Sequence, residues 1–251
     1  MASTNMQIPQ TLQITTPESW NLVERMLASG EHVFLSGPPG AGKTHAAQHL
    51  ACNDSMHVVN VTFTEDMPSA ELRGHYIPKG GEFVWHDGPL VDALRHANGT
   101  PIRLVFNELS IINSDCTSFL LSMLDGKDVL RITLPSGDVV TLPEGARVQA
   151  VGTANDTIDN VRPALADRFA LRAHITCPSA AALASLPESL RLPAQNAVLA
   201  GTSGLRPWFT LARLMQGNDM SLADALALLV IPENVRETVQ AIELCSAPAG
   251  S

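Results

Sequence analysis

Lysine is scarce. Only Lys43, Lys79 and Lys127 accompany thirteen arginines, against 25 acidic residues, and the 251-residue chain carries a net charge of −9. A chain this acidic is poorly suited to holding nucleic acid by neutralising phosphates. Charged residues make up only 16% and hydrophobic residues 45%, which excludes disorder and coiled coil. No apolar run approaches the ~18 to 20 residues that span a bilayer. Met1–Gln10 lacks a charged n-region and an apolar h-region, so no signal peptide and a cytoplasmic location are expected. The four cysteines (Cys52, Cys116, Cys177, Cys245) form no CxxC pair, which argues against a zinc site or a disulfide framework and for reduced, buried thiols.

What is present is alternation. Thr16 caps a helix with Pro17 at its first position; Trp20, Val23 and Leu27 share a face, and Gly30 ends it. Apolar strands are predicted at His32–Ser36, Val58–Thr62, Ile102–Phe106, Val148–Gly152 and Leu171–Ile175. Helical patterns lie between them, with Ala46, Ala47, Leu50 and Ala51 facing inward on one, Pro89–His96 forming another, and Cys116, Phe119, Leu120, Met123 and Leu124 facing inward on a third. This is the pattern of a parallel sheet covered by helices on both faces. Two stretches break it, and both read as hairpins: Gly74–Asp87 around Pro78-Lys79-Gly80-Gly81, and Val129–Leu142 around Ser136-Gly137-Asp138. Residues 178 to 204 are rich in Ala, Ser and Pro. From Pro207 the chain reads as helical, with stripes at Leu222, Leu226, Leu229 and at Val235, Val239, Ile242 after Pro232. The expected organisation is an α/β core over residues 1–186 and a small all-α domain over 187–251.

The strongest chemical signal is Gly37-Pro38-Pro39-Gly40-Ala41-Gly42-Lys43-Thr44, a G-x-x-x-x-G-K-[ST] loop between a predicted strand and a predicted helix. Backbone N–H groups of such a loop, with the helix end behind them, cradle phosphates. Lys43 would bridge the β- and γ-phosphates, the Thr44 hydroxyl would ligate Mg²⁺, and His45 completes the nucleotide-binding run. The second signal is the strand Ile102–Phe106 followed by Asn107-Glu108. In a Walker B arrangement the first polar residue holds a Mg²⁺-bound water and the second activates the attacking water. Asn107 brings no charge, so weaker Mg²⁺ retention is expected; Glu108 can act as the base.

Three further residues are candidates with competing readings. Asn155, after the strand at 148, can orient water or touch the γ-phosphate, or it belongs to an ordinary turn. Arg168, in Arg162-Pro-Ala-Leu-Ala-Asp167-Arg168-Phe169, can reach a neighbouring subunit's phosphate or pair with Asp167. Arg206, in Gly204-Leu-Arg206-Pro-Trp208, can contact the nucleotide or cap a helix junction.

In this order, these elements resemble those of the AAA+ ATPases, and within them the MoxR group of NorQ-, CbbQ- and GvpN-like proteins. Trp85-His-Asp-Gly88-Pro89-Leu90 is similar to a stretch found before Walker B there, and the two hairpins match inserts in the second helix and before sensor 1. Asn155 then falls on sensor 1, Arg206 on sensor 2, and Arg168 on the arginine-finger segment, with Arg162 and Arg172 as neighbouring finger candidates. Asn107 stands where the group has Asp, and Ser110-Ile111 where it often has Asn-Arg; Cys177–Arg206 is short, leaving room for a lid that lacks a helix.

The resemblance implies a homo-oligomeric ring, most often of six subunits, with ATP and Mg²⁺ between protomers and Arg168 supplied in trans. Such a ring would remodel a protein client, often one with a von Willebrand factor A domain. Tyr76, Phe83 and Trp85 would then grip the client, or else pack their hairpin onto the core. Two alternatives stand beside this: a nucleotide-binding scaffold ring that hydrolyses weakly because of Asn107, and a DNA-processing ring, which the acidic charge disfavours.

Overall fold

The computed structural model describes residues 10–125, 130–217, 220–229 and 235–246. The chain divides into two compact units. The first holds residues 22–36 and 43–174; the second holds 13–21, 37–42 and 175 onward.

In chain order the elements are β1 (Leu12–Ile14), α1 (Trp20–Ala28), β2 (Val33–Ser36), α2 (Lys43–His49), β3 (His57–Thr62), α3 (Ala70–Arg73), β4 (Gly74–Lys79), β5 (Glu82–Asp87), α4 (Pro89–Arg95), β6 (Ile102–Asn107) and α5 (Ser114–Leu124). There follow β7 (Arg131–Thr133), β8 (Val139–Thr141), β9 (Val148–Ala154), α6 (Pro163–Ala166), β10 (Leu171–Ile175), α7 (Ala180–Ala184), α8 (Glu188–Leu199), α9 (Leu205–Gly217), α10 (Leu222–Ala227) and α11 (Val235–Ser246).

In the first unit, five strands run parallel in the order β10-β2-β9-β6-β3. β2, β6 and β9 are buried along their whole length, as central strands covered on both faces must be. Register places Asn107 beside Thr62 on one side and Thr153 on the other. Side chains at the carboxyl ends of β6 and β9 are thereby brought together.

Both predicted hairpins form. β4 pairs antiparallel with β5, and β7 with β8. Trp85 packs against the core of the first unit, and Tyr76 meets its ring edge-on at 5.2 Å. Phe83 is 75% exposed, so the three aromatics do not share one environment.

Several expectations need correcting. α2 ends at His49, and Leu50 and Ala51 lie past it, half-buried, with Ala51 at φ +54°. The strand at 102 is not simply apolar: Arg103 lies within it and is fully buried. In the second unit, helices begin at Ala180 rather than Pro207, and the short stretch from Cys177 to Arg206 still accommodates α7 and α8. Leu226 is buried, whereas Leu229 lies beyond α10 and is exposed. Pro232, Val129 and the Val235 side chain lie outside the described residues. Leu183, Leu190, Val198, Leu211, Leu226 and Ile242 form the core of the second unit.

The cysteines are free thiols. Cys116 and Cys177 are buried; Cys52 and Cys245 are half-buried. Burial pushes the Cys116 thiol up to about 11. No described helix is long and apolar enough to cross a membrane.

His32, at the start of β2, is 2% exposed. Its Nδ1 accepts the Ala150 N–H at 3.0 Å, which leaves the proton on Nε2, where it has no partner. Burial lowers its pKa from 6.5 to about 4. Between those values the unfolded chain binds the extra proton, so stability falls as the pH drops through the window. A loss of about 2 kcal/mol between pH 7 and pH 5 is expected from this group alone. Urea denaturation at both pH values, on the native chain and on His32→Gln, measures it. Equal pH slopes in the two would refute the assignment.

Candidate functional site

The glycines of the Gly37–Lys43 loop are required by its backbone. Gly37 has φ +138°, and a Cβ there would sit 2.0 Å from the Ile175 carbonyl oxygen. Gly40 has φ +79°, and its carbonyl accepts the Leu205 N–H at 3.1 Å. A Cβ on Gly40 would fall 2.8 Å from Gly204 Cα, where backbone cannot yield. Within the second unit the loop is therefore seated on the start of α9, and Arg206 follows Leu205 directly. The Arg206 side chain is exposed, and its carbonyl accepts the Thr210 hydroxyl.

Lys43 and Thr44 open α2 in the first unit. Lys43 is 7% exposed, and its Nζ donates to Asn155 Oδ1 at 3.2 Å. The Thr44 hydroxyl donates to Asn107 Oδ1 at 3.1 Å, and the Thr153 hydroxyl donates to the same oxygen at 3.1 Å. Two donors aimed at one atom fix the Asn107 amide with its oxygen toward Thr44. The oxygen pair Thr44 Oγ1 and Asn107 Oδ1 is a hard donor set that suits Mg²⁺, and the hydroxyl keeps lone pairs for a metal while donating to Asn107. Neither oxygen is charged, so most of the attraction for the ion would have to come from nucleotide phosphates.

Glu108 is half-buried and sits at φ +57°, ψ +41°, a left-handed conformation that costs a residue with Cβ energy. A short 3-10 turn, Leu109–Ile111, follows, and the Ile111 N–H closes on the Glu108 carbonyl at 3.1 Å. The turn directs the chain away from the sheet immediately after Glu108.

The structure thus brings Lys43, Thr44, Asn107 and Asn155 together, with Glu108 adjoining. It leaves His45 exposed on α2, its ring 4.6 Å from that of His49 and tilted 48° to it; burial and then the neighbouring His49 charge lower its pKa. The three arginine candidates differ. Arg172 donates to the carbonyls of Phe169 and Ala166 at 3.0 and 2.9 Å. Arg168 pairs with Asp125 and, at 3.4 Å, with Asp167, so the intramolecular alternative is realised in the single chain. Arg162 is exposed.

Two residues went unread in the sequence. Thr153 carried no signal of its own; only its register opposite Asn107 selects it. Arg103 is the larger omission. Its Nε donates to Gln149 Oε1 at 2.8 Å, and Nη1 and Nη2 reach the carbonyls of Leu27, Ala47, Leu50 and Ala51 and the Cys52 sulfur. The carbonyls at the C-terminal end of α2 are thereby capped by a cation from the strand that ends at Asn107.

The sequence profile of the AAA domain, dynein-related subfamily, matches residues 32–169, more than half of the chain. Protein NorQ of Paracoccus denitrificans is 29% identical over 58% of this chain and 53% of its own length. The gas vesicle ATPase GvpN1 of Halobacterium salinarum is 29% identical over 47% of this chain and 39% of its own length. The chain thus spans about half, or less, of the relatives it matches. The crystal structure of NtrX from Brucella abortus superimposes with a TM-score of 0.51 at 17% identity, covering 95% of this chain and 52% of that one, a likeness of fold alone. Nucleotide binding and ATPase activity are general to the family. With its profile match over four of the five parallel strands, the P-loop and both hairpins, and with NorQ and GvpN1 among its relatives, the chain belongs to the AAA domain family, dynein-related subfamily, in the MoxR group of AAA+ ATPases.

Proposed function

We propose that the protein is a ring-forming ATPase that hydrolyses ATP at subunit interfaces to remodel or activate a partner protein. The observation that carries this reading is the convergence of Lys43, Thr44, Asn107 and Asn155 at the strand ends, with Glu108 directly after Asn107. In this reading the loop amides and Lys43 hold the phosphates. Thr44 and Asn107 would hold Mg²⁺, which neutralises phosphate charge. Glu108 accepts the proton of the attacking water, and Asn155 orients that water. Arg168 would leave Asp125 to meet a neighbour's γ-phosphate, and Arg206 would contact the nucleotide. The partner would be a protein, for example one with a von Willebrand factor A domain. The net charge of −9 disfavours DNA.

A second reading, a nucleotide-gated scaffold ring with weak turnover, has one observation in its favour: the neutral amide of Asn107. Mg²⁺-dependent ATP turnover measured against protein concentration separates the two. Specific activity is expected to rise with concentration, to vanish in Glu108→Gln and to increase in Asn107→Asp. Activity independent of concentration would refute sites shared between subunits. Turnover no greater than that of Glu108→Gln, recovered in Asn107→Asp, would select the scaffold.

A further inference from the structure

A polar cavity of about 320 Å³ opens in the first unit, away from the P-loop residues. Arg73, at the foot of the β4–β5 hairpin, lines it, as do Asp115, Ser118 and Ser122 of α5 and Arg131 of β7. The end of α3, just before one inserted hairpin, and the first strand of the other thus each contribute a guanidinium to one cavity. Neither guanidinium makes a hydrogen bond or a close ion pair among the described residues, and Arg73 Nε is buried without a partner. Buried donors are normally satisfied, and this unsatisfied one belongs to a residue that lines the cavity.

Most of the other polar side chains there are already engaged. Asp115 Oδ2 accepts the Ser69 N–H at 2.7 Å, and the Ser69 bonds, with a smaller contribution from the Arg73 charge, hold its carboxyl below the usual range. The Ser118 and Ser122 hydroxyl protons are committed to the carbonyls of Ser114 and Phe119. The charged donors left over are those of the arginines, beside the exposed Thr133 hydroxyl: two cations against one carboxylate, in a protein whose net charge is −9. The planar fork of Arg matches the two-oxygen edge of a carboxylate or phosphate. The volume falls at the small end of the range for ligand pockets.

We propose that this cavity is a second oxyanion site, distinct from the P-loop, that takes a phosphate or carboxylate group on Arg73 and Arg131. The group can come from a free small anion or from an acidic side chain of a bound polypeptide. Occupancy would tie the two hairpins through one ligand.

The test uses the full chain in a Lys43→Ala background, so that phosphate binding at the P-loop does not intrude. Inorganic phosphate is titrated calorimetrically at fixed ionic strength, and a fluorescein-labelled glutamate-rich peptide is titrated by anisotropy. Saturable binding of at least one probe is expected, weakened about tenfold or more by Arg131→Gln and by Arg73→Gln. Arg131 is on an exposed position of β7, so its variant reports even if Arg73→Gln disturbs folding. Phosphate binding identifies the free-anion source, and peptide binding alone identifies the polypeptide source. Binding of neither probe, or binding that both substitutions leave unchanged, would overturn the proposal. The outcome does not depend on whether Lys43 binds ATP, because the arginine dependence decides it.

Discussion

Arg103→Met is expected to lower the stability of the first unit by at least about 3 kcal/mol, enough to unfold a marginal domain. The reasoning starts from what would remain. Arg103 is fully buried and faces acceptors only: four backbone carbonyls, the Gln149 amide oxygen and the Cys52 sulfur. Methionine fills most of the space and donates to none of them. Each abandoned buried acceptor costs about 1–3 kcal/mol unless water reaches it. Replacing a buried ion pair by apolar groups can be neutral, because both partners leave together. Here the partners are backbone and cannot leave. Gln149 mitigates little, since its own Nε2 is already bonded to the Leu27 and Glu31 carbonyls at 2.9 Å each. Arg103→Lys keeps the charge but offers one nitrogen to groups arranged around a fork, so an intermediate loss is expected. Urea midpoints of the three proteins measure the series, and a native midpoint in Arg103→Met would refute the account. The effect reaches the site as well, because Arg103 ties the end of α2 to the strand carrying Asn107, and α2 begins with Lys43 and Thr44.

Lys43→Ala is expected to weaken ATP binding about a hundredfold or more while leaving the fold intact. Lys43 is nearly buried, so its ammonium acts where solvent screens little. With a nucleotide in the loop, that charge would face the β- and γ-phosphates, and alanine would leave those oxygens to backbone N–H groups alone. The Nζ–Asn155 hydrogen bond is worth about 1 kcal/mol, so its loss is a small term for stability. Fluorescent-nucleotide titration gives the affinity and thermal denaturation gives the stability. Unchanged affinity would remove the P-loop from the reading, and loss of both would make Lys43 structural rather than ligand-binding.

Much of this protein was legible because local patterns were strong. The P-loop is contiguous in sequence, and three of its glycines adopt the positive φ that explains them. Aromatic and β-branched residues around Pro78-Lys79-Gly80-Gly81 marked one hairpin, and alternation around Ser136-Gly137-Asp138 marked the other. All five strands of the parallel sheet in the first unit lie where short apolar runs predicted them. Leu50 and Leu229 were misplaced for a shared reason: a periodic stripe does not show where a helix stops, and the chain turned before the stripe ran out.

The sequence alone determined the order along the chain of the five parallel strands and two hairpins, the loop that suits phosphate and the polar residues at the ends of β6 and β9. These depend on spacing along the chain, which backbone geometry translates directly. Only the tertiary structure decided that Thr153 shares the Asn107 amide oxygen with Thr44, because that follows from strand register between segments 46 residues apart. It alone showed Arg103 as a buried clamp, since one arginine in an apolar run looks the same whether it faces water or six acceptors. It alone set Arg73 and Arg131 on one cavity, since long-range packing, not sequence proximity, determines which unpaired charges meet.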